Sequence, residues 1–152
     1  MEVGFGAGEH LLEQARLHPD AGFIGCEPFL DGVAKLVQAL DTDGIGNVRI
    51  FMDDARLLLR RLPASCLAGA FVLFSDPWPK KRHHKRRFID AITLDLLARA
   101  MAPGAELRIA TDDRGYLVWI LEHMRRANEF EWLARRPEDW GRRPPDWPAT
   151  RY

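Results

Sequence analysis

The chain has 152 residues, enough for one domain with a hydrophobic core but with little left for a second. Hydrophobic residues make up 47% and charged residues 29%, which is typical of a soluble globular domain. Because 22 Lys+Arg balance 22 Asp+Glu, the chain as a whole is not a basic nucleic-acid binder, and any such binding requires a local patch.

The two cysteines, Cys26 and Cys66, are far apart and belong to no Cys-x-x-Cys pair. We therefore predict neither a disulfide nor a metal site, and a reducing cytoplasmic environment. No apolar run approaches the roughly 18 residues of a membrane span, and no signal peptide is recognisable.

A glycine loop comes first, with Gly4, Gly6 and Gly8 at alternate positions before a predicted helix from His10 to Leu17. Such glycines allow a tight turn and let a ligand approach the main chain. The spacing differs from the Gly-x-Gly-x-x-Gly of dinucleotide folds, and a glycine-rich turn without a ligand is the alternative. Only Met1-Glu2-Val3 precedes the loop, so the first strand is expected to be truncated.

Residues 23–27 are predicted to form a buried strand that ends in Glu27, followed by a helix over residues 28–40. An acid at the end of the second strand of a βαβ unit is where a ribose diol is bound. The alternative is a solvated charge at a strand end.

A third strand is predicted over residues 48–52 and ends in Asp53-Asp54-Ala55. These acids are suited to accept from an adenine amino group, while the following backbone N–H serves a ring nitrogen. The short leucine-rich helix after them is predicted to pack in the core. A loop over residues 63–69 then leads to a fourth strand over residues 70–74.

The predicted fourth strand is followed by Asp76-Pro77-Trp78-Pro79, and residues 80–87 then contain six Lys/Arg and two His. An acid at a strand end, beside an aromatic ring and a dense cationic patch, indicates chemistry on a nucleic-acid base. The alternatives are a solvated helix start for the basic run and plain packing for Trp78.

Further along, apolar residues at helical spacing predict a helix from about His84 to Met101, ended by Pro103-Gly104. A fifth strand is predicted over residues 106–113, with acids at its end. Residues 116–124 are predicted to form an apolar helix whose Tyr116, Trp119 and His123 pack in the core.

Residues 130–133 are a further strand candidate. The tail over residues 135–152 is rich in Arg, Pro and Trp, and we predict an extended arm.

The alternation of strands and helices predicts a mostly parallel, doubly wound α/β sheet, which binds ligands beyond the carboxyl ends of its strands. Those ends carry glycines and acids without a Lys or Arg at the glycine loop. This disfavours a pyrophosphate and favours a nucleoside with a cationic centre. S-adenosylmethionine has a ribose, an adenine and a sulfonium, and we predict it as the cofactor.

Taken in order, these motifs closely resemble the bacterial tRNA (guanine-N7-)-methyltransferases over essentially the whole chain. The resemblance is carried by Glu-x-Gly-Phe-Gly-x-Gly from Glu2, Gly-x-Glu ending at Glu27, Asp-Ala at 54–55, Asp-Pro-Trp-x-Lys-x-x-His-x-Lys-Arg-Arg over 76–87, Thr-Asp at 111–112 and a terminal Arg-x-x-x-x-Trp-x-x-Thr ending at Thr150. It implies a Rossmann-like class I S-adenosylmethionine-dependent methyltransferase, with residues 1–152 as a single methyltransferase domain. It also implies tRNA as the partner and a variable-loop guanine as the methylated base.

The resemblance also implies roles for individual residues. Asp76 would be the acidic residue of the catalytic site and would also lie against the methyl donor. Donor contacts or pocket-forming residues would be Glu2, Gly4, Gly6, Gly8, Glu27 and Asp54. The tRNA would be contacted by Lys80, Asp112 and the segment Thr150-Arg151-Tyr152. The chemistry of the basic run adds a stacking face on Trp78 and phosphate contacts from Arg82, Lys85, Arg86 and Arg87.

Three features depart from the family: the short first strand, the loss of its final acid after Thr150-Arg151-Tyr152, and Pro79, which stands where many members have a polar residue. The first two bear on activity. We therefore expect a fragment, a mis-set start or a trimmed paralogue, and a catalytically impaired tRNA-binding member is the second functional hypothesis. A methyltransferase for an exocyclic amino group is disfavoured because Asp76-Pro77-Trp78 lacks a second proline. The glycine spacing disfavours an NAD-dependent dehydrogenase. We expect a monomer or homodimer without membrane contact.

Overall fold

Five short apolar segments form one sheet in the computed structural model, which describes residues 1–141. The strands are β1 (Glu2–Val3), β2 (Phe23–Cys26), β3 (Val48–Phe51), β4 (Leu67–Leu73) and β5 (Met101–Ala110). The helices are α1 (Glu9–Leu17), α2 (Leu30–Thr42), α3 (Ala55–Leu59), α4 (Ala91–Ala100), α5 (Arg114–Met124) and α6 (Pro137–Gly141), with a 3-10 helix (Lys81–Arg86) between β4 and α4. None of the helices within residues 1–141 has the length and apolar character needed to cross a bilayer.

The strand order is β3-β2-β1-β4-β5 and every pair is parallel, which confirms the predicted doubly wound sheet. Although β1 has only two residues, it is central, and Glu2 pairs with Gly25 on β2 and with Phe71 on β4. The strand order reverses between β1 and β4. In open α/β sheets this switch point is where ligands bind, beyond the carboxyl ends of the strands.

Two hydrophobic clusters hold the helices against this sheet. One includes Leu11 of α1 and Leu36 of α2, and the other includes Leu59 of α3, Leu97 of α4 and Tyr116 of α5. These five side chains are at most 1% exposed. Full burial of one leucine side chain contributes about 1.5–3 kcal/mol to stability, so the clusters fix the strand ends that follow.

The helix predicted from His84 to Met101 is wrong at its start. The chain instead forms the 3-10 helix, continues in extended form through Arg87 and begins α4 at Ala91. Asp90 sets this boundary, because its side chain accepts from Thr93 N at 2.8 Å while Thr93 Oγ1 accepts from Asp90 N at 3.0 Å. This reciprocal capping box satisfies N–H groups that an N-terminus leaves open.

The boundaries of β4 and β5 also differ from the prediction. β4 begins at Leu67, inside the predicted loop over residues 63–69, and β5 begins at Met101, directly after α4. Pro103 and Gly104 therefore lie within a strand and do not separate two elements. Gly104 has φ +79°, and the β4–β5 register shifts between Leu67 and Gly69, so an irregularity in the pairing accommodates this segment.

The strand predicted over residues 130–133 is wrong. Residues 130–133 form no strand, and Trp132 and Leu133 are exposed, because no strand within residues 1–141 lies alongside to pair with them. In the part of the predicted arm that the structure describes, residues 137–141 form α6, and the N–H groups of Arg135 and Arg136 before it both donate to the Asp139 carboxylate at 2.8 Å. Thr150, Arg151 and Tyr152 lie outside the described residues.

Candidate functional site

The glycine loop, residues 4–8, leaves β1 in a conformation that side chains disfavour. Gly4, Gly6 and Gly8 have φ +69°, +55° and +80°. A Cβ on Gly8 would come within 2.7 Å of Leu36 Cδ1, whereas one on Gly4 or Gly6 would meet nothing within 4 Å. The loop is therefore packed against α2 on one side and open at Gly4 and Gly6.

Glu27 is buried beside this loop, at the end of β2. One carboxylate oxygen accepts from Gly6 N at 2.9 Å and the other from Phe29 N at 3.1 Å. The side chain is thus the link between the glycine loop and the start of α2. Each carboxylate oxygen has a second acceptor position, so Glu27 can still accept from a hydroxyl group.

Glu2 precedes the loop, within β1, and is 4% exposed. Its carboxylate is 2.7 Å from His10 Nδ1 on α1, and His10 is 3% exposed. Sequence reasoning placed His10 only at a helix start and missed this partnership. The pair ties the central strand to α1, and the donor contact assigned to Glu2 stays a prediction.

At the end of β3, Asp53 and Asp54 have different environments. Asp54 caps α3 through Arg56 N at 2.9 Å and also contacts Arg56 Nη1 at 3.0 Å. Asp53 is exposed and accepts from Asp54 N at 2.7 Å. Ala55 is buried beneath them, so Asp53 is the more available acceptor of the two.

Residues 74–80, here named the motif loop, follow β4. Asp76 is exposed, three positions beyond the last residue of the strand. Phe74 and Trp78 flank it with φ +52° and +42°, values that cost a non-glycine residue about 1–2 kcal/mol each. Strain of this kind persists only where surrounding contacts hold it in place.

Trp78 is half-buried among cationic and titratable side chains. The Arg86 guanidinium carbon lies 4.8 Å from the Trp78 ring centroid, and the His83 ring meets it edge-on at 5.8 Å. The predicted stacking face is therefore in contact with Arg86, and a nucleic-acid base would meet an aromatic ring already paired with a cation.

The basic run divides into an exposed part and a buried one. Its outward cations are Lys80, Lys81, Arg82, Lys85 and Arg86. Arg87 is only 3% exposed, and its Nε donates to Pro77 O at 2.8 Å. The prediction that Arg87 contacts a phosphate is therefore corrected, because its guanidinium is directed into the protein. Asp112, beyond β5, is exposed, while Asp113 caps α5 through Tyr116 N at 2.7 Å.

The strand ends share one edge because the backbone continues in register past the strands. Gly4 N donates to Cys26 O at 2.7 Å, Glu27 N to Phe51 O at 3.2 Å, and Phe74 N to Ala110 O at 2.8 Å. Each bond joins the end of one strand to the end of its neighbour. The predicted acids and glycines of all five strands are thus brought to one edge.

Burial raises the pKa of the Cys26 thiol, directly before Glu27, to about 12. Cys26 is therefore a neutral core side chain at physiological pH. Within residues 1–141, no group of three or more His, Cys, Asp or Glu side chains is arranged to hold a metal ion. The edge offers acceptors and exposed cations.

Comparison with known proteins identifies relatives along nearly the full chain. A family model described as "Putative methyltransferase" matches residues 1–148. A tRNA (guanine-N(7)-)-methyltransferase of Rhodospirillum rubrum is 49% identical over 152 residues, which are 100% of this chain and 60% of the relative. Another, of Hyphomonas neptunium, is 49% identical over 100% of this chain and 69% of its own length. The chain thus spans less than two thirds of the Rhodospirillum relative.

Solved structures share the fold at low identity. The [4+2]-cyclase SpnF has a TM-score of 0.62 and 19% identity, with 83% of this chain and 49% of that chain covered. A SAM-dependent methyltransferase from Aquifex aeolicus has a TM-score of 0.54 and 19% identity, with 71% of this chain and 53% of that chain covered. These likenesses support the Rossmann-like class I architecture.

Proposed function

The chain belongs to the methyltransferase family whose model matches residues 1–148, and we propose that it methylates N7 of a guanine in tRNA, with S-adenosylmethionine as donor. The observation that carries the proposal is the position of Asp76. It is exposed beyond the end of β4, the strand that neighbours β1 at the switch point, and the cations of the 3-10 helix follow it in the chain. A tRNA substrate also favours a cytoplasmic location.

The residues at the ends of β1, β2 and β3 suit the donor. The open side of the glycine loop at Gly4 and Gly6 lets a ligand approach the backbone, and Glu27 retains acceptor positions for a ribose diol. Asp53 and the backbone after Asp54 suit an adenine edge. When bound, S-adenosylmethionine supplies an electrophilic methyl carbon attached to a sulfonium.

The motif loop suits the guanine. N7 has a free lone pair, so it forms its bond to the methyl carbon as the carbon–sulfur bond breaks, and no proton leaves the nucleophile. Asp76 accepts from the ring N–H and amino group of the base and stabilises the positive charge that develops on it. Alignment supplies much of the remaining rate enhancement. Asp76 therefore has no need to act as a general base.

The experiment incubates the chain with an unmodified tRNA transcript and methyl-labelled donor, then identifies the labelled nucleoside. We expect 7-methylguanosine. The matched control is a transcript made with 7-deazaguanosine, which has no N7 and should take up no label. Label on another atom would reject the proposal.

Calorimetry with S-adenosylhomocysteine separates this proposal from a catalytically impaired tRNA-binding protein. The methyltransferase is expected to bind this product. An absence of product binding alongside retained tRNA binding would favour the impaired protein.

A further inference from the structure

Arg87 is a buried cation whose contacts are with uncharged groups. No carboxylate among the described residues lies within ion-pair distance of its guanidinium. The guanidinium carbon is instead 5.2 Å from the Tyr116 ring centroid and 5.0 Å from that of Trp119. Two aromatic faces and one carbonyl, Pro77 O, therefore hold the charge. A planar guanidinium can make these contacts at once.

The motif loop depends on such contacts because its backbone is strained on both sides of Asp76. At one end, Phe74 N donates to Ala110 O and extends the sheet pairing. In the middle, the Arg87 bond to Pro77 O is the only hydrogen bond between a side chain and the backbone of residues 76–79 among the described residues. It lies between Asp76 and Trp78, the two residues that would meet the base.

The aromatic residues that hold Arg87 are fixed in turn. Tyr116 OH accepts from Ile89 N at 3.1 Å, and Trp119 Nε1 donates to Ile89 O at 2.6 Å. Helix α5 therefore holds the chain just after Arg87 through both the backbone N–H and the backbone carbonyl of Ile89. The Arg87 side chain lies against Tyr116 and Trp119, and the same two residues hold the backbone at Ile89. Arg87 therefore has a fixed position from which it can hold the motif loop.

A second arginine anchors the Arg87 backbone to the other side of the site. Arg56 Nη2 donates to Arg87 O at 2.7 Å, while its Nη1 contacts Asp54 Oδ2 at 3.0 Å. The Arg56 guanidinium also lies over the Phe88 ring at 5.3 Å. The end of β3 and the end of the basic run are thus joined through one side chain.

We propose that Arg87 is a positioning residue, which fixes the Pro77 carbonyl and thereby the loop that carries Asp76 and Trp78, and that it makes no contact with tRNA. Its effect on methyl transfer rests on the proposed function. Its effect on the loop does not, and can be measured without any activity.

The experiment compares Arg87→Met with Lys85→Met, which removes an exposed cation and a tryptic site two positions earlier. Limited proteolysis with trypsin reports opening of the basic run, because cleavage requires local unfolding. We expect Arg87→Met to be cut at residues 80–86 at least about tenfold faster than Lys85→Met, a difference of about 1.4 kcal/mol in local opening by the relation of tenfold to free energy. Thermal unfolding of both variants checks the overall fold.

Kinetics and salt dependence then separate positioning from phosphate contact. Arg87→Met should lower kcat about 100-fold, as expected for a misplaced reacting group, and leave the slope of log tRNA affinity against log salt unchanged. Lys85→Met should reduce that slope by about 0.7–0.9, the loss of one phosphate contact. Should Arg87→Met not fold, Arg87→Lys replaces it, since lysine keeps the charge without the planar fork and should lower kcat about tenfold.

Equal cleavage rates in the two variants, or an equal loss of salt slope, would overturn the proposal. Wild-type protein that transfers no methyl group to guanine would reject the proposed function instead. The cleavage rates would in that case still decide whether Arg87 holds the loop.

Discussion

The two halves of the sheet edge use charge in opposite ways. Glu2, within β1, and Glu27, at the end of β2, are at most 5% exposed, and each oxygen of Glu27 accepts from a backbone N–H. At the end of β4, Asp76 and the five outward cations of the basic run are exposed. We call these the donor side and the tRNA side.

The difference follows from what each side is proposed to bind. A small nucleoside is recognised by a few acceptors held at fixed positions, and buried acids acquire fixed positions from their N–H partners. A polyanion is attracted by charge density, which needs exposure more than geometry. The tRNA side is nevertheless rigid at one point, where buried Arg87 meets Pro77 O.

The largest effect is expected from the loss of the Asp76 carboxylate on the tRNA side. Asp76→Ala should lower kcat by about 10²–10³, the usual cost of removing one group that stabilises charge in the transition state. Because Asp76 is exposed, the thermal unfolding of the Asp76→Ala protein should match that of wild type. Steady-state kinetics on unmodified tRNA measures the effect, with Asp95→Ala on α4 as the control for loss of an exposed acid. Turnover within threefold of wild type would remove Asp76 from the mechanism.

A change at Glu27 should affect only the donor side. Glu27→Gln replaces one acceptor oxygen by an NH₂ group that faces a backbone N–H, either that of Gly6 or that of Phe29. We expect affinity for S-adenosylhomocysteine to fall about 10–100-fold, corresponding to about 1.5–3 kcal/mol for hydrogen bonds to a charged group.

Calorimetry measures this loss, and exposed Glu129→Gln is the control. The salt dependence of tRNA binding should be the same in both variants. A loss of tRNA affinity in Glu27→Gln without a loss of product affinity would contradict the division into two sides.

The donor side should also be sensitive to alkaline pH through Cys26. Burial raises the pKa of the Cys26 thiol in the folded protein from 9.0 to about 12. The folded state therefore gains its full stability from the neutral thiol below pH 9, and this contribution is lost as the pH rises towards 12. By linkage, wild type should lose about 1.4 kcal/mol relative to Cys26→Ala between pH 8 and pH 10. Urea unfolding of both proteins at each pH measures this difference, and a constant difference would contradict the raised pKa.

Local sequence pattern predicted the fold and the order of strand ends well, because alternating apolar segments and terminal acids are short-range features. It placed Asp76, Glu27 and the glycines at one edge. The predicted boundaries of helices and strands were wrong where a capping residue or a strand distant in sequence determined them. Asp90 begins α4 through Thr93, and the pairing of β4 with β5 extends both strands beyond their apolar cores.

The buried polar contacts of the site could not be predicted, because they join residues distant in sequence. Arg87 looks like one more member of a basic run until α5 places Tyr116 and Trp119 beneath it. Arg56 likewise gains its role only from the Arg87 carbonyl. A basic run predicts charge density but not which cation lies inside.

The smallest effect we expect comes from the removal of one exposed cation on the tRNA side. Lys80 is exposed and, among the described residues, its side chain forms no ion pair. Lys80→Met should remove one phosphate contact, so the loss of tRNA affinity between 50 and 200 mM salt should be about threefold smaller than in wild type.

Filter binding across this salt range measures the change. The control is Lys35→Met, which removes the same charge from an exposed position on α2, outside the basic run. Product affinity should be unchanged in both variants, since no acceptor on the donor side is altered. If Lys80→Met instead abolished turnover at low salt, the exposed cations would share the geometric role that we assign to Arg87 alone. The contrast between a fixed donor side and a charge-based tRNA side would then not hold.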